Sequence, residues 1–274
     1  MKKPFYHLDY TSGECSFKIF LNEILVIDNL DGVKSLAGNF LLNSYIYGAG
    51  KQNIRFEVYP KKGQSEFNEN CFIEIYLYGA DQSKGFEDKI DIIPRQTKMP
   101  SNLLKNDSGV LLPPPVSWNV QFDADNPYSI DKNWSKGRKI ASIPEYDKKV
   151  IATFTEIYQL AKERNAVQLY ELMKESFNRT NIALFETEKG KSDTVKLFEQ
   201  LIKHQPIGGN VYQLQDLDLG KVRVYGDGRV ADVLRPDGNT ILFFKKDKDE
   251  QTGVSIDIKL YSDERMNDNQ FKIL

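Results

Sequence analysis

The chain has 274 residues, of which 40% are hydrophobic and 28% are charged, a composition typical of a globular protein rather than a disordered one. Its formal net charge of -2 argues against nonspecific nucleic-acid binding, which depends on clustered Lys and Arg side chains. The longest nearly uninterrupted apolar run, residues 24–27, is much shorter than the roughly twenty residues that cross a bilayer.

The first residues contain a feature of secretion signals without the rest of the signal. Met1-Lys2-Lys3 has the positive charge of a signal peptide, but Pro4 and polar residues follow where an apolar stretch is needed. The sequence as given therefore predicts a cytoplasmic protein, or a periplasmic one if a leader has been removed.

The first half of the chain has the pattern of β-strands. Four short runs rich in β-branched and aromatic residues alternate in part between apolar and polar positions: residues 17–21, 24–27, 54–59 and 72–78. Turn residues separate these runs, among them Asp31-Gly32 and Gly48-Ala49-Gly50. Short strands joined by polar turns, with no helical period, predict an all-β sandwich.

Between residues 94 and 144 the composition changes, because seven of the eleven prolines lie there. Proline lacks a backbone donor, so this stretch is expected to be extended connection or edge strand, with residues 118–122 as a last strand. We place the domain boundary near its end. The sequence then predicts a β-sandwich domain with its Pro-rich connection over 1–140 and a second domain over 141–274.

From Asp147 onward the apolar residues follow a helical period. Three predicted helices bury stripes spaced by three and four residues: Val150, Phe154, Ile157 and Tyr158 in the first, Leu169, Tyr170, Met173 and Phe177 in the second, and Val195, Phe198, Leu201 and Ile202 in the third. Asn165 is a candidate cap for the second helix, and the third is expected over about 192–204.

The remainder of the chain predicts an antiparallel meander over residues 222–260. Asp-Gly pairs at 227–228 and 237–238 supply the positive φ angles of tight turns between apolar runs. Over residues 254–260 apolar and polar side chains alternate, which predicts one dry and one wet face, with Ile258 buried and Lys259 exposed. Three helices and a curved meander make the second domain α+β.

Residues 154–158 and 166–170, followed by a third helix and a meander, resemble the NTF2-like, cystatin-related superfamily. Members of that superfamily fold a curved sheet around a helix and leave a conical cavity. Some enzymatic relatives use an acid or base that projects into the cone. The resemblance therefore implies Tyr158, Tyr170 and Asp232 as pocket residues, whereas the residues alone suggest core tyrosines and an exposed strand carboxylate.

A second resemblance concerns the whole arrangement. A sandwich containing residues 54–59, with a tail carrying residues 225–229 and 235–238, resembles a set of uncharacterised bacterial two-domain proteins. Some of these accompany type VI secretion and toxin-immunity loci. The resemblance implies an immunity or accessory protein whose partner is another protein, such as a toxin effector.

Motifs of catalysis and metal binding are missing from the sequence. Only His7 and His204 offer imidazoles, and Cys15 and Cys71 are too few for a zinc site, so we expect no metal and no cofactor. There is no Gly-x-Ser-x-Gly nucleophile motif, and no catalytic residue is assigned. The two cysteines are expected either as free thiols or as one bridge between neighbouring strands.

The aromatic residues give one positive indication of binding. Tyr45, Tyr47 and Trp118 fall in predicted turns or in the Pro-rich connection, where exposed aromatic side chains often anchor protein partners. The leading hypothesis is therefore a non-enzymatic protein-binding factor of a bacterium. The alternatives are a small-ligand binder or enzyme that uses a cavity of the C-terminal domain, and a carbohydrate-binding module that presents a row of aromatic residues.

Overall fold

The computed structural model describes residues 2–30, 35–68, 70–84, 88–98, 114–246, 253–266 and 270–274. The chain divides into two compact units, Met1–Asp131 and Lys132–Leu274. The boundary that we predicted between residues 140 and 141 refers to domains that fold independently. The division into compact units leaves that boundary a prediction. The predicted turn at Asp31-Gly32, residues 99–113 of the Pro-rich stretch and the hairpin tip at 247–252 lie outside the described residues.

The N-terminal unit consists of two four-stranded antiparallel sheets. Its strands are β1 (Pro4–Gly13), β2 (Cys15–Leu21), β3 (Ile24–Asn29), β4 (Ser35–Leu41), β5 (Gly48–Pro60), β6 (Phe72–Asp81), β7 (Ile90–Lys98) and β8 (Val116–Ser129). One sheet has the order β4-β1-β6-β7 and the other β3-β2-β5-β8. The prediction of a β-rich N-terminal half is confirmed.

Strand alternation builds the core of this unit. Along β8 the side chains of Val116, Phe122 and Ala124 are buried while those of Ser117, Gln121 and Asp123 face solvent, as the period of two requires. Residues from both sheets, such as Leu8 and Phe56, share one hydrophobic cluster. The Pro-rich stretch contributes β7 and β8, which are both edge strands, where a missing proline N–H is tolerated.

Cys15 and Cys71 are both fully buried free thiols that contact each other. The hydrogen bond from Cys71 lowers the pKa of the Cys15 thiol, and the same contact raises the pKa of Cys71. The Cys15 Sγ also lies 3.3 Å from the carbonyl oxygen of Phe72. Because neither side chain reaches solvent, reagents reach these thiols only when the unit opens.

The C-terminal unit contains three α-helices within the described residues, as predicted: α1 (Tyr146–Lys162), α2 (Ala166–Ala183) and α3 (Glu188–Ile202). Asn165 caps α2 as expected, because its side-chain oxygen accepts from the backbone N–H of Gln168 at 3.2 Å. The third helix begins earlier than predicted, since Thr187 caps it by accepting from Gly190 N–H at 3.1 Å. No described helix is long and apolar enough to cross a membrane.

The strands of this unit form two antiparallel sheets instead of one continuous meander. They are β9 (Gln213–Leu214), β10 (Val222–Tyr225), β11 (Val230–Val233), β12 (Leu242–Lys245), β13 (Gly253–Ile256), β14 (Leu260–Tyr261) and β15 (Lys272–Ile273). The orders are β10-β11-β14-β15 and β13-β12-β9. Between β11 and β12 the single bridge Leu234–Thr240 forms beside the turn at residues 235–239, and the two strands then pair in different sheets.

The predicted hairpin between β10 and β11 is confirmed. Tyr225 pairs with Val230, and the turn residues Gly226, Asp227 and Gly228 have φ angles of 62°, 54° and 79°. A Cβ atom at Gly226 would lie 3.2 Å from the ring of Trp134, so this position requires glycine for space as well as for its backbone angle.

The alternation predicted for residues 254–260 is only partly correct. Ile258 is buried as expected, but Val254 is 36% exposed and Lys259 is only 6% exposed. The period of two fails because β13 ends at Ile256, so the residues that follow are not held to one strand geometry. The Lys259 ammonium is paired with the Asp257 carboxylate, which allows its stem to be buried.

Replacing Ile258 by Ala should destabilise the protein by about 2 to 5 kcal/mol, because it removes methyl groups from a packed core. The matched control is Val254→Ala on the exposed strand, which should cost less than about 1 kcal/mol. Urea unfolding of the full chain measures both. Equal losses for the two variants would show that Ile258 does not lie in the core.

Candidate functional site

A cavity of about 490 Å³ lies within the C-terminal unit, between α2, α3, residues 207–212 and the β13 region. We call it the C-terminal cavity. Most of its wall is apolar, formed by Met173, Phe177, Leu184, Leu197, Phe198, Leu201, Ile207, Tyr212, Val254 and Ile256. Its volume falls in the range of about 300 to 1,000 Å³ that is usual for small-molecule sites.

Three aromatic rings at the back of the cavity hold α2 against α3. The Phe177 and Phe198 rings meet edge to face, with centroids 5.1 Å apart and planes at 77°. The Tyr170 ring lies 5.4 Å from Phe177 and 6.3 Å from Phe198. Such tilted pairs stabilise by roughly 0.5 to 1.5 kcal/mol beyond area burial. They position the Phe177 and Phe198 faces that line the cavity.

The cavity opens to solvent on one side. Leu197 on α3 is 49% exposed although it belongs to the cavity wall, and Val254 on β13 is also among the exposed large hydrophobic residues. Exposed apolar side chains that border a concave surface are typical of ligand-binding grooves. A ligand entering here would cover both side chains.

Unpaired polar groups face the interior of the C-terminal cavity. Asn181 on α2 is 94% buried by area, being 6% exposed, yet its side-chain amide makes no hydrogen bond to the described residues. The hydroxyls of Thr180 and Thr194 are likewise unpartnered within the described part of the chain. On α1, by contrast, Thr153 and Thr155 donate to carbonyl oxygens one turn earlier, at 3.0 and 2.8 Å.

The Asn181 amide atoms are not among the side-chain N and O atoms that are cut off from solvent, so water in the cavity reaches them and a polar group of a ligand can replace that water. The Asn181 amide offers both an acceptor oxygen and donor hydrogens. Its position in the wall therefore provides a point at which a polar group of a ligand can be recognised.

Two carboxylates complete the lining, those of Glu186 and Asp257. Asp257 is paired with Lys259. The Glu186 carboxylate lies against the first turn of α3, where the missing side chain of Gly190 leaves it room, and it has no ion-pair partner among the described residues. No Lys, Arg or His lines the C-terminal cavity in the part of the chain that is described.

The three residues predicted as pocket residues lie outside the wall of this cavity. Tyr170 supports the wall from behind. Tyr158 is buried on α1, and this burial, reinforced by the nearby Asp216 carboxylate, raises its pKa. A direct contact of any of them with a ligand stays a prediction.

Asp232 is not the exposed strand carboxylate that the residues alone suggested. It is 2% exposed and receives hydrogen bonds from the Arg223 guanidinium at 2.7 and 2.5 Å and from the Tyr225 hydroxyl at 3.1 Å. A carboxylate engaged in this way links β10 to β11, so its observed contacts are structural.

The aromatic residues predicted to be exposed in the N-terminal unit are covered. Tyr47 is 3% exposed, and the half-buried Tyr45 packs near Phe40 with ring centroids 6.0 Å apart. Trp118 lies on the core-facing side of β8 and stacks on Phe56 at 5.0 Å. Residues 118–122 do belong to a strand, as predicted, and the alternation of that strand places the Trp118 ring on its core-facing side.

Sequence reasoning missed the polar residues of the cavity, although the sequence contains a sign of one of them. Met173 and Phe177 belong to the buried stripe of α2, and Asn181 continues that stripe at the same spacing of four. An amide in a predicted apolar stripe marks a buried polar group that needs a partner. No comparable pattern in the sequence marks Glu186 or Thr194 as a residue of the cavity wall.

No family model, no curated protein and no solved structure matches this chain. The geometry of the C-terminal cavity is thus the basis on which a function is assigned.

Replacing Asn181 by Leu, a side chain of similar size, should stabilise the unliganded protein by about 1 kcal/mol, because it extends the buried apolar stripe of α2 and removes an amide that makes no hydrogen bond within the described residues. The same change at Asn165 should destabilise it by about 1 kcal/mol, because that side chain caps α2. Thermal or urea unfolding reports both. Destabilisation by Asn181→Leu would mean that the amide is already satisfied within the fold.

Proposed function

We propose that this protein is a non-enzymatic binder of a small, largely apolar ligand, which it holds in the C-terminal cavity. The observation that carries the proposal is a preformed apolar cavity whose wall contains Asn181, a 6% exposed residue whose amide makes no hydrogen bond to the described residues. Apolar walls increase the affinity for a ligand but do not fix its orientation, whereas a few polar groups in the wall do. No reaction is assigned, because the lining lacks an acid and base pair in contact with one another.

This proposal agrees with the resemblance of the C-terminal half to NTF2-like proteins, and we propose that fold for the second unit. Three helices packed on antiparallel sheets, with a cavity lined by α2, α3 and the β13 region, support it. For the first unit we propose a β-sandwich, because two antiparallel sheets contribute to one hydrophobic cluster.

Binding of a protein partner, such as a toxin bound by an immunity protein, is a second candidate function. It is supported only by the resemblance to the bacterial two-domain proteins. Of the aromatic anchors that motivated it, Tyr47 is buried, and Trp118 is partly buried with its ring stacked on Phe56. The most exposed apolar side chain, Val167 at 65%, lies on α2 away from the cavity wall. Single exposed apolar residues are ordinary on protein surfaces, so they favour no partner.

Carbohydrate binding by the first unit requires aromatic faces that are open to a sugar ring. The outer face of its β4-β1-β6-β7 sheet does carry a row of rings, in which His7 stacks on Tyr78 at 5.1 Å and Tyr78 on Tyr76 at 5.1 Å. These faces are occupied by one another and by Lys89, whose ammonium lies 4.3 Å from the Tyr78 centroid. Ligand binding in the C-terminal cavity therefore has the stronger support.

Binding of N-phenyl-1-naphthylamine, a neutral apolar fluorophore, tests the proposal. The wild-type protein should bind it with enhanced fluorescence, and Thr194→Trp should weaken binding about tenfold or more by filling the cavity. The control is Lys196→Trp, which places the same ring on the exposed side of α3. It should bind the probe as the wild type does.

Circular dichroism of both variants confirms that the helices are intact before binding is compared. Absence of probe binding by the wild type, or equal weakening by the two substitutions, would contradict the proposed site. Competition between the probe and candidate ligands then measures the affinity of each ligand at the same location.

A further inference from the structure

The polar groups of the C-terminal cavity are biased toward accepting hydrogen bonds and attracting positive charge. The described lining contains two side chains that are charged at neutral pH, Glu186 and Asp257, and both are carboxylates. Lys259 already neutralises Asp257. Arg179, the neighbouring cation on α2, lies outside the wall and donates to the Ser176 hydroxyl at 3.4 Å. Glu186 is therefore the carboxylate left without a counter-ion.

A second observation independently indicates that a polar group of a ligand binds in the C-terminal cavity. The amide of Asn181 is more than nine-tenths buried and unpartnered within the described residues, and it faces the same space as the free hydroxyls of Thr180 and Thr194. Amide and hydroxyl oxygens are acceptors that can share the donors of one ligand group.

We propose that the ligand class of this cavity is an apolar molecule ending in a primary ammonium group. The apolar body occupies the space between Phe177, Leu201 and Ile256, and the ammonium is directed to the Glu186 carboxylate with the Asn181 amide oxygen as a further acceptor. This inference rests on the proposed ligand-binding function and adds the charge of the ligand to it.

The charge of the head group follows from what the wall offers. An ammonium has three donors and no acceptor, which matches a carboxylate, an amide oxygen and a hydroxyl. A carboxylate ligand would meet Glu186 without any lining cation to offset the repulsion, so it is selected against. An alcohol of the same length gains hydrogen bonds but no ionic attraction. Its affinity should therefore lie between those of the amine and the carboxylate.

Three ligands of equal chain length separate these effects: octylamine, 1-octanol and octanoate. Each is added to the full-length protein near neutral pH, and displacement of N-phenyl-1-naphthylamine gives its dissociation constant. Octylammonium should bind about tenfold more tightly than 1-octanol, and octanoate should bind most weakly. In Glu186→Gln the advantage of the amine over the alcohol should fall to about threefold or less, with 1-octanol binding unchanged.

The matched control is Glu188→Gln, which removes the same charge from the first turn of α3 at a side chain that is 90% exposed. It should retain the preference for the amine. A common loss in both variants would mean that general charge, rather than Glu186, attracts the ligand.

The wild-type series alone decides the ligand class, even if Glu186→Gln does not fold. Equal binding of the three ligands, or tighter binding of octanoate, would overturn the ammonium proposal while leaving the apolar site intact. If the fluorophore does not bind at all, the proposed function itself fails, and the two failures are therefore distinguishable.

Discussion

The packing of three aromatic rings between two helices is the interaction on which the candidate site depends. Tyr170 and Phe177 on α2 meet Phe198 on α3, and their tilted contacts at 5.1 to 6.3 Å set the separation of the helices. Two of these rings, Phe177 and Phe198, also line the cavity. The smaller or polar side chains of Thr180, Asn181 and Thr194 line it as well and leave the space unfilled.

The short strands of the C-terminal unit explain why the C-terminal cavity is not filled by the sheets. A continuous meander would cover the helices with one sheet, but β11 pairs with β14 while β12 pairs with β13 and β9. Among the described residues, β11 and β12 share only the bridge Leu234–Thr240, and β13 ends at Ile256 beside the cavity. In the N-terminal unit long strands bury both sheet faces that meet, so side chains such as Phe17 and Leu8 are fully enclosed.

Local patterns in the sequence predict secondary-structure elements, but they do not predict which residues line the C-terminal cavity. The helical stripe of Phe154 and Ile157 and the glycine turn at 226–228 predict structure correctly because both signals act over a few residues. Pairing of β11 with β14 depends on distant segments, which no local period reveals. Glu186 lies near Asn181 along the chain, since its N–H donates to the Asn181 carbonyl oxygen, but both become part of a cavity only because distant residues such as Tyr212 and Ile256 complete the wall.

The most direct test of the account is a crystal structure of the protein with N-phenyl-1-naphthylamine bound. The account predicts electron density for the naphthyl ring in the C-terminal cavity, within about 4 Å of Phe177 and Leu201, with the aromatic cluster unmoved. Density in the more polar groove beside Met266 and Phe271, or a cavity closed by inward rotation of Leu197, would contradict it.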